Sequence, residues 1–379
     1  MVIDIIILFV VILSKFIKQT LIFNFLYIPA VLYLFLSPRT IFYNRKLSLF
    51  LFFIFFILIF SCSYLFSSLS LGIENICFRV LSLSFFYLSM FGLLPLNHFL
   101  FNKFRFLILF SIPAILTIVN PPWFYQYASN STDFRSSEGL FAGFSVAGLF
   151  PTSLYFAQIL SAYILYYNSF KGNDKFTSII PILSKKINRF ILLIAMVFTN
   201  RKAYLFSLVF YPLYDLIIDY LVILKNKFLK VEVIQKFLIL ISAFLLIYGL
   251  LFFGVSRSRF YDFSYIFNDL FGRVQVYIRW LVNPEAAGLG ETGLLYANLF
   301  GGYPLFLLTF FLFILSSVLS FIRLIRLNLN LNKILYFFVS YIYLAIFLFK
   351  DASTMWSPSP ASLLLCIMIS FLIRNILYY

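Results

Sequence analysis

Charged residues are scarce in this sequence. Only 11% of its 379 residues are charged, against 63% that are hydrophobic, and 54 are phenylalanine and 26 are tyrosine. Such a chain has far more apolar surface than one soluble core could hide, which excludes an ordinary soluble globular protein. The apolar run from Leu47 to Phe66 matches the roughly 20 residues needed to cross about 30 Å of hydrocarbon. We therefore expect a membrane protein.

Residues that commonly hold metals are also few. The chain has three cysteines, Cys62, Cys77 and Cys366, and one histidine, and the cysteines fall in apolar runs without a metal-type spacing. We expect small buried side chains there, no metal site and no cofactor. The first residues lack a basic leader and a small-residue cleavage site, which favours an uncleaved first helix.

Apolar segments recur along the whole chain, without the internal repeat that many transporters show. We interpret them as about twelve transmembrane helices, so the expected fold is all-α, with residues 1–379 forming one polytopic membrane domain. The predicted helices cover residues 2–14, 19–36, 47–66, 76–94, 106–122, 140–167, 182–199, 203–224, 237–254, 293–320, 334–349 and 360–377.

Basic residues outnumber acidic residues, 29 to 13, and their distribution predicts an orientation. A cytoplasmic N-terminus makes internal loops of residues 37–46, 95–105, 168–189, 225–236 and 321–333. These loops hold most of the lysines and arginines, as the positive-inside rule requires. The net charge of +16 therefore reflects topology and anionic lipid, and no aromatic-plus-basic module for nucleic acid is present.

One predicted external loop, residues 254–292, departs from this rule. Its charged residues are Arg257, Arg259, Arg273, Arg279, Asp262, Asp269, Glu285 and Glu291. An anionic ligand is the simplest reason for the arginines, because a planar guanidinium group meets two phosphate oxygens at once. The alternative is that the arginines pair with the acidic residues and hold the loop together. A smaller external loop covers residues 123–139.

Aromatic residues accompany the arginines. In a helical interpretation of "FGRVQVYIRW", Arg273, Tyr277 and Trp280 share one face, whereas Arg279 points elsewhere. Aromatic rings stack on the apolar faces of sugars and also anchor proteins at membrane interfaces, so the pattern suits a lipid-linked sugar. A fifth candidate is Arg201 in "FTNRKAYLF", in an outer turn between two predicted spans. The alternative there is a side chain that reaches the membrane interface.

A reaction at a sugar hydroxyl needs a base, and the external face offers only carboxylates, because His98 lies on a predicted cytoplasmic loop. Glu291 follows a Gly-Leu-Gly sequence and precedes the next span, so it is the candidate base, with a structural turn as the alternative. Asp4, Asp215 and Asp219 lie within or near spans. Such carboxylates often mark ion pathways, which keeps a transporter as a second interpretation.

Three motifs resemble those of the O-antigen polymerase and ligase superfamily, in particular the Wzy-type polymerases. "TNRKAYL" resembles the family's Ser-Arg turn between two spans. "GRVQVYIRW" resembles its Gly-Arg followed by Trp in the large periplasmic loop. "NPEAAGLGETGLLYANLFGGYPLFLL" resembles the Asn-Pro, Gly-x-Gly and Gly-rich start of the following span. The resemblance covers roughly residues 185–320, and the first half of the chain agrees only in hydropathy.

The chain departs from the family pattern at three places. Many members, especially ligases, have His-Asn eleven residues before a glycine of the last motif, but the residue at that distance from Gly302 is Glu291. Asn200 replaces Ser before Arg201. Trp280 lies seven residues after Arg273, which is wider than the usual spacing.

The resemblance implies a GT-C-like, metal-independent glycosyltransferase that joins undecaprenyl-pyrophosphate-linked repeat units at the periplasmic face of a bacterial inner membrane. It implies pyrophosphate contacts from Arg201, Arg273 and one of Arg257 or Arg259, with Arg279, Tyr277 and Trp280 as further substrate contacts and Glu291 as the base. The expected partners are the lipid-linked oligosaccharide, membrane lipid and a chain-length regulator protein. An O-antigen ligase and a flippase for lipid-linked oligosaccharides are the alternatives.

Overall fold

The computed structural model describes residues 35, 42–67, 69, 72–95, 156–162, 165, 293–326, 331–349, 355 and 360–378. These residues form six helices and no strand. The helices are α1 (Arg45–Phe66), α2 (Ile73–Met90), α3 (residues 156–162), α4 (Gly293–Arg326), α5 (Leu331–Phe349) and α6 (Pro360–Leu377). The expectation of an all-α fold is confirmed for this part of the chain.

Helix α1 begins at a side-chain cap. The Asn44 side-chain oxygen accepts a hydrogen bond from the backbone N–H of Leu47 at 3.1 Å, which satisfies one of the N–H groups that the first turn leaves free. At the other end, the N–H of Ser67 donates to the carbonyl oxygen of Ser63 at 3.2 Å. The predicted span of residues 47–66 therefore corresponds to a helix that starts at Arg45.

Two of the described helices, α1 and α4, are long and apolar enough to cross a membrane. Only 17% of the most apolar part of α1 and 28% of that of α4 is buried, so most of the side chains there are exposed or half-buried. Exposed examples are Phe50 and Phe53 on α1 and Leu307 and Phe311 on α4. Apolar faces of this extent are rare on soluble monomers, and they support contact with lipid.

Helix α2 ends at a glycine turn. Gly92 adopts φ +67°, a conformation that residues with a Cβ rarely adopt, and the N–H of Leu93 reaches back to the carbonyl oxygen of Leu88 at 3.0 Å. This turn gives hydrogen-bond donors to the carbonyl groups of Leu88 and Ser89 at the end of the helix. The helix covers Ile73–Met90, so the predicted span of residues 76–94 begins three residues too late and ends four residues too late.

The segment after α2 is held by side chains from two other helices. Arg374 of α6 donates from Nε to the carbonyl oxygen of Gly92 at 3.0 Å and from Nη2 to that of Leu94. Ser48 of α1 donates to the carbonyl oxygen of Leu93 at 2.9 Å, and the Ser370 hydroxyl accepts from the N–H of Leu94 at 2.9 Å. The start of α1 and the ends of α2 and α6 therefore meet at one end of the bundle.

The same end is marked by tyrosines. The rings of Tyr43 and Tyr378 stack with their centroids 3.9 Å apart, and the Tyr378 hydroxyl donates to the carbonyl oxygen of Phe91 at 3.1 Å. Burial raises the pKa of this hydroxyl, Tyr43 adds to the rise, and Arg374 opposes it. Tyr378 therefore stays a neutral hydrogen-bond donor at physiological pH.

Helices α4 and α5 also meet α6 at this end, because Leu324, Ile334 and Ile376 form one buried cluster. We call this end of the bundle the basic end. It contains six of the seven lysines and arginines in the described segments, namely Arg45, Lys46, Arg323, Arg326, Lys333 and Arg374.

Buried hydroxyl groups join α2 and α4 in the interior. The Tyr87 hydroxyl lies 2.6 Å from Thr309 Oγ1, which itself donates to the carbonyl oxygen of Leu305, so Tyr87 is the donor of this pair. Ser316 donates to the carbonyl oxygen of Met90. Since Tyr87 and Met90 of α2 face Thr309 and Ser316 of α4 in the same order, these two helices run parallel.

Contacts at the other end complete the pattern. Phe66, the last residue of α1, packs against Gly302 near the start of α4, and Arg79 in the first half of α2 packs against Tyr296. Gly293, the first residue of α4, contacts Phe347 near the end of α5. Helices α2, α4 and α6 therefore run in one direction and α1 and α5 in the other, as expected for spans joined by loops on alternate sides.

The remaining predicted boundaries differ in detail. Helix α4 continues to Arg326 instead of ending at residue 320, because "FIRLIR" contains no helix breaker and places Arg323 and Arg326 in the last turn, where the helix dipole favours cations. Helix α5 begins at Leu331, three residues before the predicted start, and α6 agrees with residues 360–377. The predicted span of residues 140–167 includes α3.

Six predicted spans lie outside the described residues, apart from Phe35. They are the spans of residues 2–14, 19–36, 106–122, 182–199, 203–224 and 237–254.

Candidate functional site

The residues that the sequence favours for chemistry lie outside the described residues. They are Arg201, Arg257, Arg259, Arg273, Tyr277, Arg279, Trp280 and Glu291. What the structure does describe is the second half of the last motif, from Gly293 onward. Because Gly293 directly follows Thr292, helix α4 begins where the predicted external loop of residues 254–292 ends.

The glycine pair of this motif breaks α4 into two segments. Gly301 has φ −144° and Gly302 has φ +66°, so neither continues the helix. Pro304 adds to the break, because it has no N–H to donate to the carbonyl group of Phe300. A Cβ on Gly302 would lie 2.7 Å from the Cβ of Phe66, which leaves no room for a side chain. We call residues 293–300 the first segment of α4.

The first segment of α4 is packed inside the bundle. Leu294, Ala297 and Phe300 are fully or almost fully buried, and Gly293 lies against the backbone of Phe347. The half-buried residues of this segment include Tyr296 and Asn298. The motif that follows the predicted loop therefore forms part of the protein interior at the end opposite the basic end.

A cation also lies at this opposite end. The guanidinium carbon of Arg79 lies 5.2 Å from the centroid of the Tyr296 ring. Arg79 Nη1 is buried and has no hydrogen-bond partner among the described residues, and the same holds for Asn298 Oδ1. Arg79 is the one cation of the described segments that lies away from the basic end. Buried polar atoms usually have partners, so this pair of atoms requires an explanation.

Sequence reasoning did not select Arg79 as a functional candidate. A signal was present, because Arg79 is a lone cation within an otherwise apolar predicted span, and charged residues in spans commonly face a partner or a pathway. The arginines of residues 254–292 attracted attention instead because they are clustered. The contact with Tyr296 could not be found from the sequence, since more than 200 residues separate the two.

Within the described segments, no group of three or more His, Cys, Asp or Glu residues could hold a metal ion. Cys62, Cys77 and Cys366 are free thiols, the last of them buried. The expectation that they are small interior side chains is met by Cys366, while Cys62 and Cys77 are half-buried.

The chain matches no protein-family model, no curated protein and no solved structure. The motif resemblance to O-antigen polymerases therefore stays a hypothesis that rests on the residues quoted above.

Proposed function

We propose that this protein is a surface-polysaccharide polymerase of the O-antigen type, which joins lipid-linked oligosaccharide repeat units. The observation that carries the proposal is the cluster of four arginines in the sequence of residues 254–292, the predicted external loop, which directly precedes the start of α4 at the end opposite the basic end. The other two motifs, around Arg201 and at the Gly-Gly kink, support the same family.

The placement of charge supports an outward-facing site. The positive-inside rule assigns the basic end, with its six cations, to the cytoplasm. The start of α4 then faces the periplasm of a bacterial inner membrane, and so does the loop that precedes it. The proposal includes about twelve spans, and among the helices that the structure describes α1 and α4 satisfy length and composition.

In the proposed reaction, a hydroxyl oxygen of one repeat unit attacks the anomeric carbon of a sugar on the second lipid carrier. The bond between that carbon and the diphosphate oxygen breaks, and the diphosphate leaves with the electron pair. Arg201, Arg273 and one of Arg257 or Arg259 stabilise the charge that grows on the leaving oxygens, more in the transition state than in the ground state. Glu291 accepts the hydroxyl proton.

The remaining candidates bind substrate rather than react. Tyr277 and Trp280 offer ring faces to the sugars, and Arg279 is a further contact for the diphosphate. Membrane lipid surrounds the protein, and a chain-length regulator is the proposed protein partner. The proposed reaction uses no metal, cofactor or nucleic acid.

The test is a substitution series at Arg273 in cells that depend on this protein for surface polysaccharide. Arg273→Ala and Arg273→Lys should both abolish long chains, since lysine does not reproduce the planar fork of a guanidinium group. The chain-length distribution on a gel and the amount of protein in the membrane are measured together. Wild-type chain lengths in both variants, at normal protein level, would contradict the proposed role.

The pool of lipid-linked sugars distinguishes the alternatives. Loss of a polymerase leaves single repeat units displayed outside the cell, whereas loss of a flippase traps them in the cytoplasm. Loss of a ligase leaves long chains on the lipid carrier that are not transferred to lipid A core. The replacement of the ligase motif's histidine by Glu291 favours the polymerase.

A further inference from the structure

We propose that Arg79, supported by the ring of Tyr296, is an anion-binding residue that contacts the phosphate group of an amphiphile at the end opposite the basic end. This inference rests on the proposed function for the identity of that amphiphile, the lipid-linked diphosphate substrate. It adds a substrate-positioning residue from the first half of the chain, which the motif resemblance does not cover.

A cation in the position of Arg79 carries an energetic cost. A guanidinium group always carries its charge, and placing it in an apolar helix bundle is unfavourable unless a partner compensates. The Tyr296 ring compensates in part through its electron-rich face. The ring face is only a weak acceptor for an N–H group, however, and Nη1 stays buried without a conventional hydrogen bond in the described part of the chain.

Arg374 provides an internal comparison. It is buried, at 2% exposure, and its Nε and Nη2 donate to the carbonyl oxygens of Gly92 and Leu94, whereas Arg79 is half-buried with a buried Nη1. The fold therefore supplies backbone acceptors to an arginine whose role is to join two helices. Arg79 receives none from the described residues, and Arg323 Nε at the basic end is likewise buried without a described partner; in the proposed site a bound anion supplies the acceptor for Arg79 Nη1.

The surroundings of Arg79 favour a phosphate. The described segments contain a single acidic residue, Glu74. A phosphate offers several acceptor oxygens to one guanidinium group. Two sources share this chemistry at a membrane surface, namely the headgroup of a bilayer phospholipid and the diphosphate of a polyprenyl carrier.

The position of Tyr296 favours the carrier. Tyr296 lies three residues after Gly293, in the first turn that follows the loop with the four arginines. An additional guanidinium group next to the start of α4 would therefore lie beside the segment that we propose binds the diphosphate.

The experiment measures binding with the purified full chain in uncharged detergent. The probes are undecaprenyl diphosphate and phosphatidylglycerol, each titrated separately. Arg79→Ala should raise the Kd for undecaprenyl diphosphate about tenfold or more, because it removes charge-assisted hydrogen bonds, and Arg79→Lys should raise it less. Tyr296→Leu, which keeps an apolar side chain but removes the ring face, should also weaken binding.

Arg326→Ala is the matched control, because it removes an exposed arginine at the basic end. It should leave both Kd values within about twofold of wild type, a range expected for a charge that touches no ligand. Thermal unfolding shows whether each variant is folded, and if Arg79→Ala is not, Arg79→Lys and Tyr296→Leu decide the question.

The outcomes separate this inference from the polymerase proposal. Wild-type affinity of the Arg79 and Tyr296 variants for both probes would overturn the inference. Weaker binding of phosphatidylglycerol alone would assign the site to a bilayer headgroup and reject the carrier. If Arg273→Ala cells make normal chains while Arg79→Ala loses diphosphate binding, the polymerase proposal fails and the anion site stands.

Discussion

Arg374 contacts the backbone of Gly92 through both its side chain and its own backbone. Arg374 Nε donates to the carbonyl oxygen of Gly92 at 3.0 Å, and a Cβ added to Gly92 would lie 2.7 Å from the backbone nitrogen of Arg374. Helices α2 and α6 therefore approach closely enough that only glycine fits. The positive φ of Gly92 makes the same demand independently.

Gly92→Ala should lower the stability of the protein by about 1–3 kcal/mol, because alanine is strained at this φ and its methyl group meets the backbone of α6. The matched control is Gly72→Ala, since Gly72 has φ −61° and open space where its Cβ would lie. Thermal unfolding in detergent measures both variants. Equal unfolding midpoints for the two would show that the close approach of α2 and α6 is not as described.

A chain of hydroxyl groups between α4 and α5 leads to the second prediction. Ser316 donates its proton to the carbonyl oxygen of Met90, so the Tyr341 hydroxyl, 2.5 Å away, donates to Ser316 Oγ. Ser320 Oγ, 2.8 Å from the same hydroxyl, then donates to Tyr341. Each proton in this chain has one acceptor.

Tyr341→Phe should cost about 1–3 kcal/mol, because it leaves the buried Ser320 donor and one side of Ser316 without a partner. Ser320→Ala combined with Tyr341→Phe should cost less than the sum of the two single changes. Ser317→Ala is the control, since the Ser317 hydroxyl bonds to Phe313 of its own helix and is only half-buried. Additive losses in the double variant would rule out the described hydroxyl chain.

The third prediction concerns orientation. A fluorescent-protein fusion after Arg326, at the basic end, should fluoresce if that end faces the cytoplasm as the positive-inside rule predicts, while an alkaline phosphatase fusion there should be inactive. Fusions after Gly72, beside the start of α2, should give the opposite result. The same activities at both positions would contradict the alternating direction of the helices, and reversed activities would place the proposed site in the cytoplasm.

Several of these elements could be predicted from the sequence, because hydropathy and helix length are local properties. The runs that form α1 and α4 are apolar over enough residues to cross a membrane as helices. In lipid each backbone N–H and carbonyl group must find a partner within the chain, which favours a helix. The predicted end of α2, residue 94, lies four residues beyond the observed end at Met90. The turn at Gly92 that ends the helix lies against the backbone of Arg374 in α6, a contact between distant parts of the chain. The close approach of Phe66 to Gly302 likewise joins residues of two helices that are far apart in the sequence.

The candidate site could be predicted only in part. The sequence draws attention to the arginines of residues 254–292 through composition, and the structure describes just the helix that follows them. Arg79 went unselected because its significance lies in a contact with Tyr296 and in the lack of a described acceptor for Nη1. Both depend on the three-dimensional structure and cannot be read from the order of residues in the sequence.

The sequence by itself determined that this protein is helical, that its apolar segments suit a membrane, and that its cations favour one side, because these follow from residue type and order alone. The tertiary structure decided which helix ends meet and which buried polar atoms find partners. Such facts depend on residues hundreds of positions apart being packed within a few ångströms, where each hydrogen bond and each added methyl group changes what the fold can accommodate.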